Sequence, residues 1–456
     1  MSNNSENCAQ LKNSKTDWVP IKPNENVLLQ KMSVIVKIDN NEIKVDDAEL
    51  WLCFFPRPRV EIKGMFIATK AVFNALGSQK IINLYHSDGS VEIPGICTKY
   101  EIKIGKNEIF MTWFITPVPF NLKEKNAKSI KYFVFHLFNF VDLIGARRNF
   151  EYFEDKGHLI HYLDFIWKDW KVEIRSLYGK KETYNTLEED GGFALTHVGY
   201  VRESNGKSFS INKAEYFLNA LRYFLSFARG FWCYPILCAG FDKHGDKKWR
   251  AWDSPREPWQ NPLSWFDPQH PDQLINLFPG FMDKCQVESW RDTFREVIYW
   301  YLNSNNSYRG IDAGIILTQA AIERLSFEYA VQSKKLITVD GFNKIWASDK
   351  FRILFSSLDI PIEIPSCLTN LIKLSKDSQI KWIDAPHALT EVRNSLVHPQ
   401  KKPRNKFKSI YFETWKLGLW YLELSILRLC GYEGTYSNRL TAQMAGQVEK
   451  VPWENK

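Results

Sequence analysis

The chain has 456 residues, of which 45% are hydrophobic and 25% charged, with 17 Trp and 31 Phe. Two or three domains are expected at that length, and the composition excludes a chain disordered throughout. A formal net charge of +8 permits an acidic partner but does not announce one, because nucleic-acid proteins are marked by clustered charge rather than by the total.

Residues 1–30 are polar and read as a flexible tail without a signal peptide. From Met32 to about Pro119 short apolar and polar steps alternate. Val34-Ile35-Val36-Lys37-Ile38, Val60-Glu61-Ile62-Lys63 and Glu101-Ile102-Lys103-Ile104 have the period of two of half-buried strands. Asn40-Asn41, Asp88-Gly89 and Gly105-Lys106-Asn107 supply turns between them, so a sandwich or barrel-like sheet is expected. Ile130 to Leu143 fits a buried strand or a helix. His136, Asn139 and Asp142 make its apolar part too short and too polar to span a bilayer.

Ala214 to Arg229 reads as an amphipathic helix closed by Gly230, followed by a strand pair, Phe231–Phe241 and Lys248–Trp252, across a turn at 243–246. These elements place a β-rich sensing or docking region at 31–253. Residues 254–284 carry six prolines between Pro255 and Pro279, which predicts an extended linker with no long helix. Helical periodicity then takes over at 285–432: Ser289–Asn303, Ile311–Val331, Phe342–Leu358, Leu368–Leu374, Pro386–His398 and Lys406–Leu429, the last stopped by Gly431. The expected fold class is therefore α+β, with a β-rich N-terminal half, an all-α antiparallel bundle, and a C-terminal tail at 433–456.

The 8 cysteines form no C-x-x-C pair, so reduced thiols in a cytoplasmic protein are expected rather than a zinc site or disulfide framework. His158 and His161 could share a helix face as metal ligands, but no third ligand has suitable spacing; a surface or core role is the bland reading. Trp232, Trp249, Trp252, Trp259 and Trp265 fit either a base-stacking surface or a clasp of the Pro-rich linker onto a domain, and the clasp is preferred. No Ser/His/Asp elbow, P-loop or dinucleotide fingerprint is present, and no metal or cofactor is expected.

The segment Asp384 to Pro399 carries the best candidate for chemistry. Asp384 is placed to cap a helix, Pro386 is tolerated in its first turn, and Pro399 disfavours the helical conformation at His398. Near that helix end stand Arg393, Asn394 and His398. An arginine offers a fork of donors to a phosphate oxygen, and a histidine can take or give a proton near neutral pH. RNA cleavage by its own 2′-OH needs a base for the hydroxyl proton and a cation for the developing charge, and neither step requires a metal. The structural alternative pairs Arg393 with Glu391 or Glu323 and leaves His398 to finish the helix. Glu323 and Glu328 could instead hold Arg393 or His398, or simply face solvent.

Arg393-Asn394-x-x-x-His398 on a helical bundle resembles the HEPN superfamily, over about residues 285–432. The resemblance implies a metal-independent ribonuclease whose two motifs face one cleft in a homodimer, with Arg393 binding phosphate, His398 acting as acid/base and Asn394 orienting one of them. HEPN folds also include non-catalytic members, which keeps open an RNA- or nucleotide-binding or dimerisation module. A β-rich half before such a bundle is similar in layout to ApeA-type abortive-infection proteins, implying a defence or stress setting. The basic run Lys401, Lys402, Arg404, Lys406 and Lys408 directly after the motif is either a solvated face or an electrostatic guide for RNA.

Overall fold

A computed structural model describes residues 22–38, 41–67, 81–86, 92–103, 108–115, 120–123, 128–153, 156–178, 180–306, 308, 310–398, 404–442 and 444–454. Six strands come first: β1 (Val27–Ile38), β2 (Asn41–Cys53), β3 (Arg59–Ile67), β4 (Ile81–His86), β5 (Glu92–Lys103) and β6 (Glu108–Ile115). They close into an antiparallel barrel in the order β1-β2-β3-β6-β5-β4. Alternation along each strand sends Val34, Val36, Leu50, Leu52, Val60, Ile62 and Trp113 inward, all essentially without exposure. The barrel alternative is thus the one observed. Strand β1 begins inside the segment expected as a tail, and residues 1–21 lie outside the described residues. The predicted turns at Asp88-Gly89 and Gly105-Lys106-Asn107 also lie outside them, although the strands they join pair as hairpins would.

A second sheet follows, built from β7 (Phe120–Lys123), β9 (Tyr132–Phe138), β10 (Arg147–Phe153), β11 (Lys156–Trp167), β12 (Trp170–Ser176), β13 (Leu195–Glu203), β15 (Ile236–Phe241) and β16 (Lys247–Trp252). Its strand order is β10-β11-β12-β13-β9-β15-β16-β7, and a separate short pair joins β8 (Ser129–Ile130) to β14 (Phe209–Ser210). Within the ambiguous run from Ile130 to Leu143, Tyr132–Phe138 is the central strand β9, with Phe133 to Phe138 buried on both faces, His136 included, while residues 139–143 belong to no helix or strand. Two helices accompany the sheet, α1 (Lys180–Asp190) and α2 (Ile211–Arg229). Ser210 caps α2 by accepting from the Lys213 amide, and Gly230 ends it at φ 72°, as its position predicts.

His158 and His161 lie on β11, not on a helix, so a spacing of three sends them to opposite faces. His161 is buried against Asp142, with Nδ1 2.8 Å from a carboxylate oxygen, whereas His158 packs on Tyr178. Among the described residues no cluster of three metal-ligating side chains is present.

His197, in β13, is fully buried with both ring nitrogens unpartnered and its ring edge-on to Phe140. Burial, which penalises the charged imidazolium, pushes its pKa down to about 3. Because the folded-state value is depressed, the group costs nothing above the ordinary imidazole range. As pH falls from there toward 3 the unfolded chain takes up a proton that the folded chain refuses. Stability should therefore decline by about 1.4 kcal/mol per pH unit across that window from this residue alone. Urea midpoints measured against pH in the parent and in His197→Gln check this; identical slopes would contradict it.

The proline-rich segment up to Pro271 is the extended clasp that was expected. Ser264 donates to the Ala228 carbonyl at 2.6 Å, Arg229 donates to the Gln260 carbonyl at 2.8 Å, and the Arg229 guanidinium lies over Trp259. Trp232, Trp249, Trp252 and Trp265 are buried, as the clasp requires. The expectation of no long helix fails beyond it, because α3 (Asp272–Gln286) runs through Pro279. Pro279 deletes one intrahelical bond, the one to the Ile275 carbonyl, while Leu274, Leu277, Phe278, Phe281 and Met282 bury the rest of the helix. Phe278 stacks on Phe165 of β11 at 4.7 Å, so α3 joins sheet and bundle in one core.

Next to the proline, a Cβ on Gly280 would stand 1.8 Å from the Cys430 carbonyl oxygen. Gly280→Ala should therefore force the two segments apart and cost about 1–3 kcal/mol or more. A urea midpoint equal to the parent's would refute that.

The bundle comprises α4 (Glu288–Asn305), α5 (Ile311–Phe327, continuing as a π turn to Ser333), α6 (Val339–Lys344), α7 (Ala347–Ser357), α8 (Thr369–Ser375), α9 (Ala385–Val397) and α10 (Tyr411–Leu429). Ile315, Ile322, Leu325 and Tyr329 are buried, as their spacing predicts. Gly418 of α10 lets Thr318 of α5 approach to within 2.8 Å of where a Cβ would be, which draws these two helices together. The chain after α10 is no loose tail. Its strands β17 (Thr435–Tyr436) and β18 (Glu449–Lys450) pair, and Tyr436, Arg439, Val451 and Trp453 are buried. No described helix is long and apolar enough to cross a membrane.

Candidate functional site

Helix α9 starts where Asp384 accepts from the His387 amide at 2.9 Å. The same carboxylate receives Nε and Nη2 of Arg352, so one side chain both caps α9 and ties it to α7. Pro386 sits in the first turn, where no amide is needed. Leu389 and Val392 are buried and Leu396 packs against the core, which leaves a polar stripe on the opposite side. His398 has left the helix (φ −129°, ψ 63°), with its amide still bonded to the Asn394 carbonyl at 2.8 Å. Pro399 lies outside the described residues.

The polar stripe forms one wall of an open cleft of about 780 Å³, made by His387, Thr390, Glu391, Asn394 and His398. These residues recur at helical spacing and share one face. The start of α7 forms the other wall with Ser348, Asp349 and Arg352, and Trp346 and Ile383 stand at its edge. The structure thus brings Asn394 and His398 into one cavity. Arg393, about 100° further round the helix than Asn394, does not line it. Arg393 is half-buried, and its Nη1 donates to Asn394 Oδ1 at 3.4 Å.

Two of the acidic partners weighed for Arg393, Glu323 and Glu328, are engaged elsewhere. Glu323 holds Lys350 at 2.6 Å, and buried Glu328 takes Arg324 and Thr293. Among the described residues Arg393 forms no ion pair, which leaves its guanidinium available to an incoming anion. Of the basic run, Lys401 and Lys402 lie outside the described residues. The backbone of Arg404 and Lys406 belongs to a 3₁₀ turn, Arg404–Ile410, in which Lys408 is exposed.

His387, Asp349, Arg352 and Trp346 are cleft residues that reading along the chain missed. His387 had a signal, since it stands seven residues before Asn394 and eleven before His398 on the same stripe. Trp346, Asp349 and Arg352 had none, because their relation to α9 is purely tertiary.

Comparison with known proteins gives two family matches: YopA central domain over residues 125–262 and YopA C-terminal domain over residues 287–450. The chain is 30% identical over 333 residues to the SPbeta prophage-derived uncharacterized protein YopA of Bacillus subtilis (strain 168), covering 71% of this chain and 72% of that protein. No solved structure matches significantly. The two family regions leave 263–286 between them, a stretch that contains the end of the clasp and all of α3.

Proposed function

The chain belongs to the YopA family, and we propose that its C-terminal helical domain is a metal-independent endoribonuclease of the HEPN type. The observation that carries this reading is the joint placement of Asn394 and His398 on one wall of an open cleft, beside an Arg393 that forms no ion pair among the described residues. His398 supplies proton transfer to and from the 2′-oxygen and the leaving 5′-oxygen. Arg393 supplies positive charge to the phosphate as negative charge builds, and Asn394, hydrogen-bonded to Arg393, holds the guanidinium in place. Because Arg393 stands outside the cleft, the working unit is a homodimer in which a second α9 brings the motifs together over one phosphate. The prophage origin of the Bacillus relative fits an effector role in conflict between phage and host, with the β-rich half sensing or docking.

The position of Arg393 off the cleft also favours a second reading, a non-catalytic module that binds RNA or nucleotide. Incubating the purified chain with RNA, with and without EDTA, beside Arg393→Ala and His398→Ala, separates the two. Cleavage that survives EDTA and is lost in both variants supports the nuclease. Binding without cleavage under any condition supports the module, and cleavage indifferent to both substitutions would remove the site.

A further inference from the structure

The cleft beside His398 is poorly built for phosphate. Its one arginine, Arg352, is already held by Asp349 and Asp384, so that group of three carries net negative charge. A phosphate entering there would meet Asp349 with no uncommitted guanidinium, whereas Arg393 lies outside the lining. The edge of the cleft has another character. Trp346 is 80% exposed and Ile383 78%, two large apolar side chains open to solvent at the mouth of one cavity. Trp346 closes the entry to α7 as its N-cap residue, with φ −65° and ψ 152°, on backbone fixed by the helix that follows.

We infer that this cleft is a nucleobase site: Trp346 stacks on one unpaired base of a single-stranded RNA, and Asp349 accepts a hydrogen bond from that base's exocyclic amino group. An exposed indole offers a flat apolar face to any base, and a carboxylate selects bases that carry an amino donor. Cytosine, adenine and guanine carry one and uracil does not. The arrangement sorts the parts of a nucleotide by charge, with the neutral base entering the acidic cleft and its phosphate kept at the helix end with Arg393 and His398. A duplex is excluded, because its bases present no free face to Trp346. Trp346 and Asp349 are thus positioning and specificity residues, and the inference rests on the ribonuclease reading only in taking RNA as the ligand.

The test is binding, not turnover. Hexamers of 2′-O-methyl cytidylate and uridylate, which lack the attacking hydroxyl, are titrated against the full chain by fluorescence anisotropy. The cytidylate should bind more tightly. Trp346→Ala should weaken both by about tenfold or more and Trp346→Phe should restore most of the loss, while Asp349→Asn should erase the preference between the two hexamers. Truncating so exposed a side chain leaves the core intact, and an unchanged urea midpoint establishes that. Equal binding by Trp346→Ala and the parent, or no binding of either hexamer, would overturn the inference. Binding that depends on Trp346 in a chain that cleaves no unmodified RNA would support it while defeating the nuclease.

Discussion

His398→Gln is expected to slow RNA cleavage by about 10²–10⁴-fold, the range that one positioned general acid/base contributes. The size of the effect follows from geometry. His398 is exposed, has left the helical conformation, and lies at the end of the polar stripe of α9 with Asn394 one turn behind it. Glutamine keeps the size and the hydrogen-bonding capacity but cannot move a proton at neutral pH. Single-turnover rates in EDTA across pH 5–9 check both consequences: the rate falls, and the limb of the profile that an imidazole imposes disappears. An unchanged profile would dismiss His398 as the proton carrier. If the site is shared between two copies, mixing His398→Gln with Arg393→Ala chains should recover part of the lost activity.

Arg439→Met is expected to destabilise the helical domain by about 3–5 kcal/mol, because it would leave a carboxylate buried without its counter-ion. Arg439 and Glu423 are 1% and 0% exposed and form an ion pair through two nitrogens. Arg439 also donates to Asn305 Oδ1 at 3.1 Å and to the Leu263 carbonyl at 3.0 Å, while Tyr301 donates to Glu423 at 2.6 Å. One guanidinium therefore fastens the C-terminal hairpin to α10, α4 and the proline-rich clasp. Replacing Glu423 and Arg439 together by Leu and Met should recover much of the loss, since a matched apolar pair carries no stranded charge. Urea denaturation of the three variants measures this. A single-variant loss below about 1 kcal/mol, the worth of an exposed pair, would show that the site is hydrated.

The β-rich half was legible through its period of two, yet whether its strands made a sandwich or a barrel depended on pairings between β1 and β4, about fifty residues apart, that no local pattern encodes. Pro279 misled for a related reason. A helix-breaking residue is a local cost, and in α3 the burial of Phe278, Phe281 and their neighbours outweighs it. A spacing of three suits one face of a helix, but His158 and His161 lie on a strand, which sends them to opposite faces.

By itself the sequence determined what depends on neighbours along the chain. That includes the cap at Asp384, the end of α9 before Pro399, the polar stripe with Asn394 and His398, and the helical character of the C-terminal half, each set by spacing and backbone preference. Only the tertiary structure decided that Arg393 stands off the cleft, and that Trp346, Asp349 and Arg352 complete it from forty residues upstream. The physical reason is that one helix can present only one wall. The cavity, its charge and the aromatic edge that suits it to a base come from packing α7 against α9, through Arg352 held by Asp384.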